Sequence, residues 1–179
     1  DLVRSRGLGD VYKRQIQNIE PVVHGGGQEY GLRSGTVNLP MAVSMVKSIK
    51  LTMGRLDEAR RKLNKMNQSV RTFLEEFRGV YINSPKDSAP QIINVSFPGV
   101  KGEVLVNAFS KHGVMISTTS ACSSKRGKLN EVLLAMGVPD ARIEGSIRIS
   151  MGVHTTEEDI QRFKEVFEQV YEEVKELLK

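Results

Sequence analysis

Residues 117–125 read STTSACSSK, and the rest of the chain is organised around this stretch. Small hydroxylated residues build no packed element, so the stretch predicts an exposed loop. It holds Cys122, the only cysteine, and Lys125, Arg126 and Lys128 follow closely. Nearby cations favour the thiolate, which is the nucleophilic form of cysteine. The pattern is compatible with a reactive thiol, or with a cysteine that is merely a small buried hydrophobe.

The segments around this loop predict an α/β fold in which helices pack on a small sheet. Strands are expected at 80–83, 91–97, 114–117 and 146–151. In the second of these, apolar residues alternate with Asn94 and Ser96. Helices are expected from Pro40, over 56–77, over 101–112, over 129–136 and after a capping box at 155–158. In the helix over 101–112, the side chains expected to face inward are Val104, Leu105, Ala108 and Phe109. The apolar stripe of the last helix is expected to run from Ile160 to Leu177.

Arg148 is the most informative residue of the predicted strands. Ile147, Ile149 and Met151 point to one side of their strand, which leaves Arg148 on the other side. An arginine there needs a partner, because guanidinium is costly to leave unpaired near apolar groups. A structural carboxylate or a substrate carboxylate gripped by two hydrogen bonds would both serve, and the pattern alone does not separate them.

Two glycine-rich loops precede the first helix. Residues 24–29 read HGGGQE and residues 31–36 read GLRSGT. Backbone N–H groups, a hydroxyl and a cation in such loops can surround a phosphate. An ordinary pair of turns has the same composition, so both interpretations stay open.

Composition limits the class of protein. The chain has 179 residues, 39% hydrophobic and 26% charged, with a net charge of +5, which is typical of a soluble globular domain. Its basic residues have acidic neighbours and do not predict a nucleic-acid surface. No apolar run is long enough for a membrane span, and three histidines and one cysteine far apart give no metal-ligand spacing. A single cysteine suits a reducing compartment, so a cytoplasmic location is expected.

Four motifs in one order carry a family resemblance: HGGGQE at 24–29, RSGT at 33–36, SAC at 120–122 and SIRIS at 146–150. Over residues 16–179 the chain resembles cysteine desulfurases of the NifS/IscS type, which are class V aminotransferases dependent on pyridoxal 5'-phosphate (PLP). The resemblance implies the C-terminal small domain of a fold-type I PLP-dependent transferase over 51–179, and the tail of the large domain over 16–50.

The resemblance also implies roles for individual residues. Cys122 would take sulfur from substrate L-cysteine as a persulfide, releasing L-alanine, and the loop would carry it to an acceptor. Arg148 would bind the substrate carboxylate. Thr36 would bind the PLP phosphate of the other subunit of a homodimer, and Arg33 and His24 would shape that shared site. The acceptor would be an iron–sulfur scaffold or a tRNA-thiolation enzyme, with no direct nucleic-acid or membrane contact.

One feature departs from the family pattern. In this family a lysine that forms the Schiff base with PLP follows a histidine upstream of HGGGQE, and no His-Lys pair precedes His24 here. Residues 1–15 show no periodicity and are expected to be a non-native or artefactual segment. The sequence therefore predicts an incomplete, C-terminal piece of a desulfurase without activity of its own.

Three other interpretations stay open. The parent could be a class V aminotransferase or lyase without sulfur chemistry, in which Cys122 is incidental. The chain could instead be a non-catalytic domain that relays sulfur from another protein. It could also fold poorly, because an apolar face left exposed favours aggregation.

Overall fold

The computed structural model describes residues 20–118 and 130–178. The chain divides into two units between Met53 and Gly54, and each is described by itself. The predictions made for residues 1–15 and for Cys122 fall outside the described residues. Among those that are described, no helix combines the length and the apolarity needed to cross a membrane.

Over residues 20–53, the first unit contains the glycine-rich loops and one α-helix, α1 (Leu39–Met53). The helix begins next to Asn38, whose Oδ1 accepts a hydrogen bond of 3.1 Å from the Met41 N–H, as is typical of a capping residue. A helix was predicted here from Pro40, with Met41, Val43, Met45, Val46 and Ile49 on one side. None of its side chains is buried within the unit, and Met41 and Val46 are 68% and 62% exposed.

The second unit begins with a long helix and alternates helices with short strands. Its elements are α2 (Leu56–Leu74), β1 (Tyr81–Ile82), β2 (Ile92–Ser96), α3 (Gly102–Lys111), β3 (Ser117–Thr118), α4 (Glu131–Ala135), α5 (Asp140–Glu144), β4 (Ser146–Ser150) and α6 (Glu157–Val174). This order confirms the predicted one, except that α5 was not expected. Its five residues are too few for a periodic pattern to stand out.

The four strands form one antiparallel sheet in the order β1-β2-β4-β3. β2 and β4 are its central pair, with Asn94 opposite Arg148 and Val95 opposite Ile147. β3 lies on the other side of β4, with Ser117 opposite Arg148. Because side chains alternate across a strand, this register gives the sheet one apolar face and one polar face.

The apolar face meets the long helices in a single core. The buried side chains come from β2, β4, α2, α3 and α6 and include Leu63, Val70, Ile93, Val95, Phe97, Leu105, Phe109, Ile147, Ile149, Phe163, Phe167 and Val170. Phe167 of α6 is 1% exposed, and its ring centroid lies 4.9 Å from that of Phe77 and 5.6 Å from that of Phe97. The predicted fold class, helices packed on a small sheet, is confirmed.

Several predicted details are wrong at the edges of elements. Val104 is 50% exposed and Leu177 is 57% exposed, although both were expected to face the core. The capping box is formed by Thr156 and Asp159, one residue later than predicted. The strand expected over 114–117 is limited to Ser117–Thr118. Helix and strand periods predict which face is apolar, but the last turn of an element is decided by local contacts.

A close backbone approach fixes the start of β4. The Phe97 N–H donates to the Gly145 carbonyl at 3.0 Å. A Cβ at position 145 would collide with the Phe97 carbonyl and lie 2.7 Å from the Val100 oxygen. Only glycine fits there, so position 145, immediately before β4 and three residues before Arg148, is held tightly against the end of β2.

Candidate functional site

The polar face of the sheet centres on Arg148. The register places Asn94 of β2 on one flank of Arg148 and Ser117 of β3 on the other. Directly opposed residues in an antiparallel sheet have Cβ atoms about 5 Å apart. Arg148 is exposed, whereas Asn94 is only 8% exposed and Ser96 is fully buried. In the described ranges, no hydrogen bond or ion pair engages the Arg148 guanidinium, which leaves it available to an incoming acceptor.

Beside Arg148 lies a network of side-chain amides. Asn83 Nδ2 donates to Asn94 Oδ1 and to Ser96 Oγ, both at 2.6 Å. Asn94 Nδ2 donates to the carbonyl oxygen of Ile147 at 3.0 Å, the peptide group directly before Arg148. The main chain of Asn94 is held as well, because its N–H donates to Ser84 Oγ at 2.8 Å and its carbonyl accepts from the Asn83 N–H at 2.9 Å. Buried polar groups that are satisfied in this way make a region rigid.

A second arginine, Arg142 of α5, anchors the outer end of this network. One of its terminal nitrogens donates to Asn83 Oδ1, and its guanidinium carbon lies 4.6 Å from the centroid of the Tyr81 ring, within the range of a cation–π interaction. Arg142 Nε is buried without a hydrogen-bond partner. Neither Arg142 nor Arg148 forms an ion pair with any carboxylate of the described part of the chain, so this face of the sheet carries uncompensated positive charge.

In the first unit, the glycine-rich loop is shaped by positive φ angles. Gly35 has φ +119°, and a Cβ there would lie 2.7 Å from Arg33 Nη1. The Gly35 N–H donates to Gln28 Oε1 at 3.0 Å, and Arg33 Nη1 donates to the Ser34 carbonyl at 2.9 Å. Ser34 is 4% exposed, while Arg33 and Thr36 point outward from the loop as exposed residues. Glycine at position 35 therefore leaves a space beside the Arg33 guanidinium, and most other side chains would fill that space.

The chemistry of this loop fits a phosphate. A hydroxyl on Thr36, the remaining N–H groups of Arg33 and a glycine-rich backbone are the donor types that bind phosphate oxygens. His24 is also exposed and precedes Gly25, whose Cβ would lie 3.1 Å from the Ser34 Cβ. Among the described residues, no lysine lies in this loop, so its donors suit the phosphate of a cofactor and not covalent attachment.

The structure thus places the predicted site residues in separate regions. His24, Arg33 and Thr36 share the loop of the first unit, and Arg148 lies on the sheet of the second unit. Cys122 lies outside the described residues. Within the described ranges, no group of three or more histidine, cysteine, aspartate or glutamate side chains could hold a metal ion.

Sequence reasoning missed Asn83 and Arg142, and it assigned no role to Asn94. A usable signal was present, because the alternation in residues 91–97 puts Asn94 and Ser96 on the face opposite the core. The pattern does not reveal that β2 pairs with β4, and this pairing brings Asn94 next to Arg148.

The chain has curated relatives and solved structural neighbours. It is 35% identical over 93% of its length to a NifS/IcsS protein homolog of Lactobacillus delbrueckii subsp. bulgaricus. It is also 35% identical, over 95% of its length, to cysteine desulfurase IscS of Dictyoglomus turgidum. It covers 44% of each relative, so the chain spans less than half of their length.

A solved NifS-like protein has a similar fold. Its TM-score to this chain is 0.73 at 34% identity, over 89% of this chain and 40% of that one. Residues 3–163 match the family described as Aminotransferase class-V. That match covers most of the sequence, and the Dictyoglomus turgidum relative is named a cysteine desulfurase. The chain belongs to the aminotransferase class-V family.

Proposed function

We propose that this chain is the C-terminal part of a PLP-dependent cysteine desulfurase that converts L-cysteine to L-alanine and keeps the sulfur as a persulfide on Cys122. The observation that carries the proposal is the exposed, unpaired Arg148 on a rigid polar sheet face. An amino-acid substrate brings a carboxylate, and relatives of this chain are named for acting on cysteine.

Arg148 is assigned to the α-carboxylate of the substrate. A guanidinium binds a carboxylate through two parallel hydrogen bonds, which fixes orientation as well as position. The backbone position of Arg148 is well defined, because the residue lies on the central strand β4 between two hydrogen-bonded neighbouring strands. Side chains mounted on such elements hold a substrate more accurately than side chains on loops.

Thr36 and Arg33, with His24 nearby, are assigned to the cofactor phosphate, in the site that a homodimer would share between subunits. Their support is the donor chemistry of the loop and the space that Gly35 leaves beside Arg33. When bound, PLP supplies the electron sink that substrate C–S cleavage needs. These residues would hold the phosphate end of the cofactor in place.

Cys122 is assigned to sulfur transfer. Its thiolate would form a bond to the substrate sulfur while the substrate C–S bond breaks, the bonding pair would remain with the substrate carbon, and a proton would complete alanine. The persulfide on Cys122 could then pass its terminal sulfur to an acceptor, an iron–sulfur scaffold or a tRNA-thiolation enzyme. We propose that this sulfur transfer takes place in the cytoplasm, because the single cysteine suits a reducing compartment.

We further propose that these 179 residues alone do not desulfurate cysteine. No His-Lys pair precedes His24 in the sequence, so the covalent anchor for PLP would have to come from elsewhere. The test is the intact mass of the chain after incubation with PLP and borohydride reduction, with lysine mapping. The expected result is no specific adduct. One stoichiometric adduct at a single lysine would contradict this part of the proposal.

The desulfurase itself is tested in a complete protein that carries this chain, by measuring alanine and persulfide formed from L-cysteine. Cys122→Ala should abolish persulfide formation, and Arg148→Gln should raise KM for cysteine by at least about tenfold, the loss of one charged contact. Arg162→Gln, on the outer helix α6, is the matched control and should change neither. Sulfide or persulfide production that survives Cys122→Ala would contradict the role of Cys122 and favour a class V enzyme in which this cysteine is incidental. Persulfide that appears on Cys122 only when a separate desulfurase is supplied would favour a relay domain.

A further inference from the structure

We propose that Asn94 is a positioning residue for substrate recognition: its neutral amide fixes the strand beside Arg148 without offering a carboxylate that would compete for the guanidinium. This inference rests on the proposed function, because it takes Arg148 to bind the substrate carboxylate. It goes beyond that assignment by identifying what keeps Arg148 in place and unpaired.

Asn94 lies opposite Arg148 in the register of β2 and β4, and its Nδ2 is bonded to the Ile147 carbonyl at 3.0 Å. That carbonyl belongs to the peptide bond that leads into Arg148. The amide therefore fixes the backbone from which the Arg148 side chain projects, and it does so from a position that is 8% exposed.

Asn94 is itself held by a series of hydrogen bonds. Its Oδ1 accepts from Asn83 Nδ2 at 2.6 Å, and Asn83 in turn accepts from Arg142. Arg142 lies against the Tyr81 ring. A chain of neutral amides thus connects Arg142 to the neighbourhood of Arg148, and the orientation of each amide follows from the donor and acceptor on either side.

The absence of charge on the Asn94 side chain matters for Arg148. An aspartate at position 94 could accept the same hydrogen bond from Asn83, but it would lose the donor to the Ile147 carbonyl and place a negative charge beside Arg148. An internal ion pair would then satisfy Arg148, and a substrate carboxylate would have to displace it. Asparagine gives the same shape without the charge. Its neutrality is the feature that leaves Arg148 able to recognise a carboxylate from outside.

The first test needs neither cofactor nor substrate and uses this chain as it is. In Asn94→Asp, carbon-detected NMR should show a pKa of the new carboxyl at least about one unit below its value in the double variant Asn94→Asp/Arg148→Gln, which keeps the burial and the facing Ile147 carbonyl but lacks the guanidinium. Asn64→Asp, on the exposed side of α2, is the chemically matched control. Its carboxyl should titrate near the ordinary value, because water screens exposed charges.

A second variant approaches Arg148 from the other flank and leaves the amide network intact. Ser117→Asp places a carboxylate on β3, opposite Arg148 in the register, and its pKa should also fall. If Asn94→Asp does not fold, Ser117→Asp still tests whether a carboxylate beside Arg148 is captured. A pKa of the new carboxyl that is the same with and without Arg148→Gln, in folded variants, would overturn the inference.

The second test separates this inference from the proposed function. In a complete, active protein, Asn94→Asp and Ser117→Asp should raise KM for L-cysteine at least about tenfold and leave kcat within about threefold. The neutral Asn94→Ser loses the hydrogen bond to the Ile147 carbonyl but adds no charge, so it should raise KM, although less than the two aspartates do. If Asn94 served stability alone, KM would stay unchanged in all folded variants. If Arg148→Gln raises KM but the two aspartates do not, the positioning role is wrong while the desulfurase assignment stands. If Arg148→Gln has no effect on KM, both fail.

Discussion

The two faces of the sheet are built from the same strands but depend on different forces. On one face Ile93, Val95 and Ile147 are almost fully buried against three helices. On the other face Asn94 and Arg148 belong to a layer of amides and guanidinium groups. Burial of apolar area is non-directional and tolerates small shifts, whereas hydrogen bonds demand a fixed geometry. The apolar face therefore stabilises the fold, and the hydrogen bonds of the polar face fix the positions of its side chains.

The largest effect should come from breaking the apolar face at its centre. Phe167→Ala removes a ring that packs against Phe77, Phe97 and Phe109. We expect the free energy of unfolding to fall by about 3–5 kcal/mol, since a buried phenylalanine leaves both lost contacts and a cavity. Urea unfolding followed by circular dichroism measures this.

The neighbouring Glu168→Ala is the matched control for that experiment. Glu168 is an exposed residue of the same helix, and its removal should change the free energy of unfolding by less than about 0.5 kcal/mol. An equal loss in both variants would show that helix α6 is sensitive everywhere and that the aromatic core is not the dominant source of stability.

A smaller effect is expected on the polar face. Asn83→Ala removes one acceptor from Arg142 and leaves Asn94 Oδ1 and Ser96 Oγ without the donor that they share. Buried groups left unsatisfied cost about 1–3 kcal/mol of stability, and the same urea experiment measures it. Asn64→Ala on α2 should be neutral or slightly stabilising, because alanine favours helix. An unchanged free energy of unfolding in Asn83→Ala would mean that water replaces the hydrogen bonds of the network.

The smallest effect should lie outside both faces. Lys65 donates to Glu157 at 2.6 Å, with side chains 75% and 72% exposed. This hydrogen bond and the lysine charge hold the pKa of Glu157 below its ordinary value. A depressed carboxyl pKa stabilises the fold above the ordinary glutamate pKa, and this contribution disappears as the pH falls through the depressed value.

Lys65→Met should therefore raise the pKa of Glu157 toward its ordinary value, as NMR titration would show. Tm at pH 7 should stay nearly unchanged, because exposed ion pairs contribute little to stability. Lys86→Met, in an exposed loop, is the control and should leave the pKa of Glu157 as it is. A large loss of Tm in Lys65→Met alone would place this pair among the interactions that hold the fold.

Sequence reasoning worked best where a periodic pattern meets a single large core. The stripe in α2 that includes Leu63, Met66, Val70 and Phe73 is buried as predicted, because helical periodicity and burial report the same face. It worked least well in α1, an apolar helix with no buried side chain within its own unit. A sequence pattern identifies an apolar surface, but it does not identify what that surface meets.

The candidate site shows the same division. Arg148 could be selected from sequence because a charged residue interrupts an apolar alternation. Asn83 and Arg142 could not, since they lie 65 and 6 residues from Arg148 in the sequence and are brought to the same sheet face only by strand pairing. Polar residues in loops and short helices are common, and nothing local distinguishes these two.

The sequence by itself determined the order of the strands and of all helices but α5, most of the apolar face of the long helices, and the family resemblance, because these depend on local periodicity and on short motifs. Only the tertiary structure decided that β2 and β4 pair with Asn94 opposite Arg148, that Asn83 and Arg142 extend this pair into a network, and that the guanidinium of Arg148 remains exposed. The physical reason is that register is a long-range property. A shift of one residue would exchange the two faces of a strand, and only packing of the whole unit forbids it.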